Sequence, residues 1–223
     1  MHSLFGGNRP WSAADWTASD DRVRGGKSQS HLETSECDAI ARFHGDLDIS
    51  ALGGAGFASQ RTTDEDRIWD LGEYDGIDIA IRKSDGKRYT LIVKDTLLPP
   101  NPDNGREQST TSYEYDFVVE SSAESTSIRI PWSSFNPTYR GREQKDANPL
   151  DTTRVRRISI MMRRSFTWQL LRHAKRLLLA IAEVNFRVQI DARFEGIVVR
   201  SRSRKWWWDS EWSGHTSRMS LTV

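Results

Sequence analysis

Charge, glycine and hydroxyl crowd into one stretch, Asp20-Asp21-Arg22-Val23-Arg24-Gly25-Gly26-Lys27-Ser28-Gln29-Ser30. Glycines expose backbone N–H groups, so such a stretch can form a loop that takes a ligand or a protein partner. Asp21, Arg22 and Arg24 are its candidate binding side chains. The same composition also fits a structural entry loop whose acids and arginines pair internally. A second set, Arg61, Lys94, Arg106 and Trp132, falls near expected strand ends with polar neighbours. Arginine offers paired hydrogen bonds and indole a stacking face. Together the four residues would grip a carboxylate, a sugar or a peptide. Taken singly, each also reads as a surface ion-pair former or a core tryptophan.

Catalytic patterns are lacking. The five histidines, at 2, 31, 44, 173 and 215, show no paired spacing and no His-Glu-x-x-His. There is no Gly-x-Ser-x-Gly elbow. The single Cys37 lies between acids, which favour the neutral thiol over a nucleophilic thiolate. Gly53-Gly54-Ala55-Gly56 lacks the third glycine of a dinucleotide fingerprint and reads as a tight turn or bulge. Asp46-Leu47-Asp48 and Asp64-Glu65-Asp66 lack calcium-loop spacing. The expectation is a chain that is not an enzyme, with no metal and no cofactor.

Period-two alternation must position these residues. It runs through Ala39–Phe43, Ile77–Arg82, Arg88–Lys94, Tyr113–Glu120, Ile128–Ile130 and Ile158–Met162. Asp75-Gly76 and Asp85-Gly86 read as tight turns, the second as the tip of a hairpin. Short strands with polar turns predict an all-β protein, an antiparallel β-sandwich or jelly roll. Residues 165–183 break this rule. Leu170, Ala174, Leu177, Leu178 and Ile181 recur at helical spacing beside a basic arc. Three readings stand for this stretch: an insertion packed on the barrel, an interaction helix, or translated non-coding sequence. The chain thus divides into a lead-in (1–15), a jelly-roll domain (16–164), a helical insertion (165–183), a final strand (184–192) and an irregular or disordered tail (193–223).

Charge divides with it. The chain has 223 residues, 32 Lys plus Arg and 31 Asp plus Glu, for a net +1. Residues 1–162 carry a net −6 and residues 163–223 a net +7. A near-neutral total argues against a dedicated nucleic-acid binder. The longest apolar run, Leu177 to Ala182, is far short of a membrane span.

Several motifs occur in order: the Asp20–Ser30 stretch; Phe43-His-Gly45-Asp-Leu47 leading into Leu52–Arg61; Tyr74-Asp75-Gly76 before Asp85–Tyr89; Arg106–Thr110 before Tyr113–Phe117; Pro131-Trp132 with Phe135; and Arg157–Arg163. This set resembles the complex I intermediate-associated protein 30 family over about three quarters of the chain. The resemblance implies a galactose-binding-like jelly roll. It also implies a chaperone-type role in assembling mitochondrial NADH:ubiquinone oxidoreductase, with complex I subunits or assembly factors as partners. In that family a short Phe-Gly turn follows the strand ending at Met162-Arg163; here residues 166–183 stand in its place.

The leading expectation is a non-catalytic protein-binding module. A cytosolic carbohydrate- or small-ligand-binding module on the same fold is the alternative, and an enzyme of secondary metabolism a lesser one. The sequence lacks a visible transit peptide and reads as cytoplasmic, while the resemblance points to the mitochondrion.

Overall fold

A strand with alternating apolar residues buries one face only, so such strands gather into sheets that stack face to face. The computed structural model describes residues 1–35, 37–120, 125–164 and 187–201. One sheet comprises β1 (His2–Gly6), β3 (Gln29–Thr34), β4 (Ala41–Asp48), β6 (Tyr74–Lys83), β9 (Thr126–Pro131) and β13 (Arg187–Ser201). The other comprises β2 (Trp16–Ala18), β5 (Gly56–Thr62), β7 (Arg88–Lys94), β8 (Ser112–Val118), β10 (Asn136–Tyr139), β11 (Arg142–Glu143) and β12 (Arg157–Arg164). The first sheet runs β3-β4-β13-β6-β9, with β1 added along β13; the second runs β11-β10-β8-β7-β12-β5-β2. Neighbours pair antiparallel throughout. The chain is an all-β antiparallel sandwich of the jelly-roll type, as the alternation predicts.

Between the sheets lie Phe43, Leu47, Ile77, Ile79, Leu91, Val93, Ile158, Ile160 and Phe194, all buried. One end is closed by rings. Phe5 sits 4.9 Å from Trp16, 5.6 Å from Trp11 and 6.3 Å from Trp69, measured between ring centroids.

Several local expectations are corrected. Residues 1–15 are more than a lead-in, because β1 pairs with β13 and buries Leu4 and Phe5. Five residues are too few to show a period, and the partner strand lies near the other end of the chain. Asp75-Gly76 is no turn. Gly76 lies inside β6, where an added Cβ would stand 2.2 Å from the Ile130 carbonyl oxygen, so close strand approach requires glycine. Asp85-Gly86 does not tip a hairpin either, since β6 and β7 belong to different sheets and the turn carries the chain across the sandwich.

The last described strand also overruns its expected end. Residues 193–201 continue β13 rather than an irregular tail. The register shifts between Phe194 and Gly196, so burial moves from even positions (Ile190, Ala192, Phe194) to odd ones (Ile197, Val199). A one-residue bulge hides the strand from a period-two reading. The expected helix at 165–183, residues 184–186 and the tail from 202 onward lie outside the described residues.

If residues 193–201 are core strand, Phe194→Ala will destabilise the protein by about 3–5 kcal/mol, the usual cost of removing a buried aromatic ring. Urea unfolding followed by tryptophan fluorescence reads this directly; a change near zero would place Phe194 outside the core.

Candidate functional site

Asp20 and Asp21 precede and open a 3-10 turn at Asp21–Arg24, and both side chains point inward, 3% and 0% exposed. Asp20 Oδ1 accepts hydrogen bonds from Ser30 Oγ (2.6 Å) and the Ser59 N–H (2.9 Å), and its Oδ2 from the Ser30 N–H (3.1 Å). Asp21 Oδ1 accepts from the Ser28 N–H (3.1 Å), and its Oδ2 from Ser28 Oγ (2.8 Å) and the Phe57 N–H (3.1 Å). Ser30 lies on β3 and Ser59 and Phe57 on β5, so the two carboxylates tie one sheet to the other. Gly26 makes room, since a Cβ there would lie 2.1 Å from Asp21 Oδ1. Arg22 reaches the surface with its Nη2 3.4 Å from Asp20 Oδ2, and the Arg24 guanidinium lies over the Phe57 ring at 5.6 Å. Of the three candidate binding residues here, Asp21 is engaged within the chain and the two arginines face outward.

The second sheet carries a denser charge cluster. β5, β12 and β7 are adjacent. Arg61 stands opposite Ser159, and Arg157 opposite Lys94. Alternation puts Ile158, Ile160 and Val93 inside, so Arg61, Arg157 and Lys94 share the outer face. Their side chains are nonetheless only 21%, 3% and 14% exposed. Two loop carboxylates meet them. Glu107 lies 2.5 Å from Arg157 Nη1, 3.6 Å from Arg61 Nε and 3.8 Å from Lys94 Nζ. Glu65 lies 3.2 Å from Arg157 Nη2 and 3.8 Å from Arg61 Nη1. Lys94 Nζ also donates to Thr110 Oγ1 (3.1 Å). Burial pulls the Lys94 ammonium and the Arg157 guanidinium below their usual values, and Glu107 opposes that shift in both. Further along the same face, Arg163 pairs with Glu114 (2.5 Å) and Asp116 (3.4 Å).

The structure therefore brings Arg61 and Lys94 together and leaves the other two members of their set elsewhere. Arg106 is exposed in the loop before Glu107, where its N–H donates to Asn104 Oδ1. Trp132 follows β9, donates its indole N–H to the Tyr74 carbonyl (2.8 Å) and packs on Phe135 at 5.9 Å. Arg157, Glu107 and Glu65 were not anticipated. The available signal was a cation at the first polar position of the Ile158–Ile160 alternation.

Other groups depart from expectation. His31 and His44, thirteen positions apart in sequence, stand opposite each other on β3 and β4 with ring centroids 5.3 Å apart. The exposed Cys37 thiol is held below its usual value, not above it: hydrogen bonding from Ser35, whose Oγ is 3.6 Å from Sγ, outweighs the Asp38 charge. Among the described residues, no three His, Cys, Asp or Glu side chains converge as metal ligands, and no helix is long and apolar enough to cross a membrane.

Beside the cluster lies a groove of about 900 Å³ lined by Asp95, Thr110, Tyr113, Tyr139, Gln144 and Asn148 among others. The Tyr113 hydroxyl donates to the Asn148 carbonyl (2.9 Å). Burial and then the Asp95 carboxylate push the Tyr113 phenol from 10.0 up to about 12.

The model of the complex I intermediate-associated protein 30 family matches residues 5–202. Uncharacterized protein C9E9.15 of Schizosaccharomyces pombe (strain 972 / ATCC 24843) is 46% identical over 172 residues, 76% of this chain and 78% of its own. Among solved structures, the family 11 carbohydrate-binding module of the cellulosomal cellulase Lic26A-Cel5E of Clostridium thermocellum is similar at TM-score 0.46 and 14% identity, over 82% of this chain and 88% of that one. The Clostridium thermocellum family 11 module in complex with a β-1,3-1,4-mixed-linked tetrasaccharide is similar at 0.46 and 14%, over 87% and 95%.

Two outcomes follow from this geometry. Asp21→Ala will cost roughly 3 kcal/mol or more, because each buried donor left unpaired costs ~1–3 kcal/mol, whereas Arg22→Ala at the surface will cost at most about 1 kcal/mol; chemical denaturation of both variants checks the contrast. Tyr113 favours its neutral form in the fold, so its contribution to stability holds below pH 10 and is lost as the pH rises towards about 12. Phenolate absorbance of the wild type against Tyr113→Phe measures it, and titration of Tyr113 near pH 10 in the folded protein would refute it.

Proposed function

Because the chain belongs to the complex I intermediate-associated protein 30 family, we propose that it is a non-catalytic, chaperone-type module that works through protein contacts in the assembly of NADH:ubiquinone oxidoreductase. The observation that carries this reading is the family match over residues 5–202, which spans both sheets and the charge cluster between β5, β12 and β7. The chemistry of that cluster supports it. A buried arginine flanked by a half-buried arginine and lysine, all held against glutamates, is a means of gripping a partner's polar groups. Among the described residues, the carboxylates of the cluster are engaged with its cations. The partners on this reading are complex I subunits or their assembly factors, and the compartment is the mitochondrion.

A second reading, a carbohydrate- or small-ligand-binding module, is favoured by the groove itself. Tyr139 stands at its wall, exposed and with the Arg140 guanidinium over its ring at 5.4 Å, beside the polar side chains of Gln144, Asn148 and Asp95. Aromatic faces flanked by amides and carboxylates suit a sugar ring.

Affinity capture of the tagged full-length chain from its own organism, read by mass spectrometry, tests the first reading together with native electrophoresis of membranes from a deletion strain. Enriched complex I subunits and a depleted assembled complex are the expected result. Normal complex levels, with no such subunits captured, would overturn it. A glycan array whose hits vanish in Tyr139→Ala would instead establish the second.

A further inference from the structure

The cations of the cluster and the carboxylates that meet them are built differently. Arg61, Arg157 and Lys94 stand on three adjacent hydrogen-bonded strands, so the sheet fixes their spacing. Glu107 comes from the irregular connection between β7 and β8, which carries Pro99, Pro100 and Pro102, and its side chain is 35% exposed. Glu65 comes from the connection between β5 and β6 and is 56% exposed. A rigid cationic floor thus meets carboxylates delivered from the solvent side.

Stoichiometry leaves the floor in excess, with three cations against two carboxylates. Glu107 does most of the bridging. One of its oxygens serves Arg157 and Lys94, and the other serves Arg61. Take Glu107 away and Arg61 and Arg157 share Glu65 while Lys94 keeps Thr110 but no carboxylate at ion-pair distance, an arrangement that burial disfavours. Another carboxylate arriving from the same side restores each contact with no change in net charge.

We propose that the Arg61–Lys94–Arg157 cradle is a receptor for a carboxylate on an acidic segment of a protein partner, and that Glu107 is the chain's own occupant, displaced when the partner binds. The inference rests on the protein-contact reading above and names the chemistry of the contact. Self-occupancy lowers the apparent affinity for the partner by the fraction of time the cradle is free. It also keeps the buried cations paired while no partner is present.

The test uses the full chain and a fluorescein-labelled tetraglutamate peptide, read by fluorescence anisotropy at low ionic strength, where charge pairing is least screened. Glu107→Gln is expected to bind the peptide about tenfold tighter than the wild type, or more, because the competitor is gone. Adding Arg61→Ala to that variant removes the gain, and tetraglutamine does not bind. A folded Glu107→Gln protein that binds no tighter than the wild type overturns the proposal, as does a variant that takes inorganic phosphate and ignores the peptide. Should Glu107→Gln fail to fold, the wild type decides: side-chain Nε–Hε NMR signals of Arg61 and Arg157 shift on saturation with tetraglutamate, and unmoved signals overturn the proposal. Partner capture by the wild-type chain alongside a failed peptide test would sink the cradle alone and leave the protein-contact reading in place.

Discussion

Two carboxylates, side by side in sequence and buried together, hold the sandwich closed. Asp20 and Asp21 sit where the edge strand β3 of one sheet passes β5 of the other, and they accept six hydrogen bonds from Ser28, Ser30, Phe57 and Ser59. A buried carboxylate is tolerable only when its lone pairs are met by donors. Here four of the six come from backbone N–H groups, at Ser28, Ser30, Phe57 and Ser59, so the two sheets cannot separate without leaving donors and acceptors bare. The composition of the whole stretch from Asp20 to Ser30 follows. Ser28 and Ser30 supply hydroxyl and amide donors, and Gly26 leaves the volume that Asp21 occupies. The acids of this stretch are a seam of the fold, with Arg22 and Arg24 as its outward edge.

The opposite constraint is β13, fifteen residues long and central to its sheet. One edge pairs with β4 up to Phe194 and then with β1 from Gly196, while the other edge pairs with β6. The bulge at Glu195 marks the exchange of partners, and Trp11 Nε1 donates to the Glu195 carbonyl there (3.2 Å). The N-terminal strand and the ring cluster around Phe5 are thereby fastened to the last described strand. A rigid sandwich results, and only such a frame can hold three cations at fixed spacing on its outer face.

Alternation made the fold class legible, because a half-buried strand advertises its inner face every second residue, as Ile77-Ile79-Ile81 and Tyr89-Leu91-Val93 do. Pairing was not legible. Asp85-Gly86 has the composition of a hairpin tip, yet the strands on either side belong to different sheets, and composition carries no information about which neighbour a strand finds. The bulge in β13 erased the period beyond Ala192. In the cluster, Arg61 and Lys94 stood out as cations near strand ends. Arg157 hid as the polar step of an isoleucine run, and Glu107 hid in a loop whose place over the sheet is a tertiary fact. Trp132 was drawn into the set by residue type alone, and its indole is occupied by the Tyr74 carbonyl.

The outer face of the second sheet is charged without being a source of long-range field. Arg61, Arg157, Lys94, Arg163 and Arg88 meet Glu65, Glu107, Glu114 and Asp116, five cations against four carboxylates. Paired charges largely cancel beyond a few ångströms, so this face does little to steer a distant partner. Its discrimination acts at contact. If the cradle receives a partner, that partner must present a carboxylate where Glu107 now sits, because a neutral group there would leave Arg157, the most deeply buried of the cations, with Glu65 alone. Such a surface rejects wrong partners by desolvation penalty more than it attracts right ones by charge. The burial that depresses the charged forms of Lys94 and Arg157 is the same burial that makes the identity of the occupying anion matter.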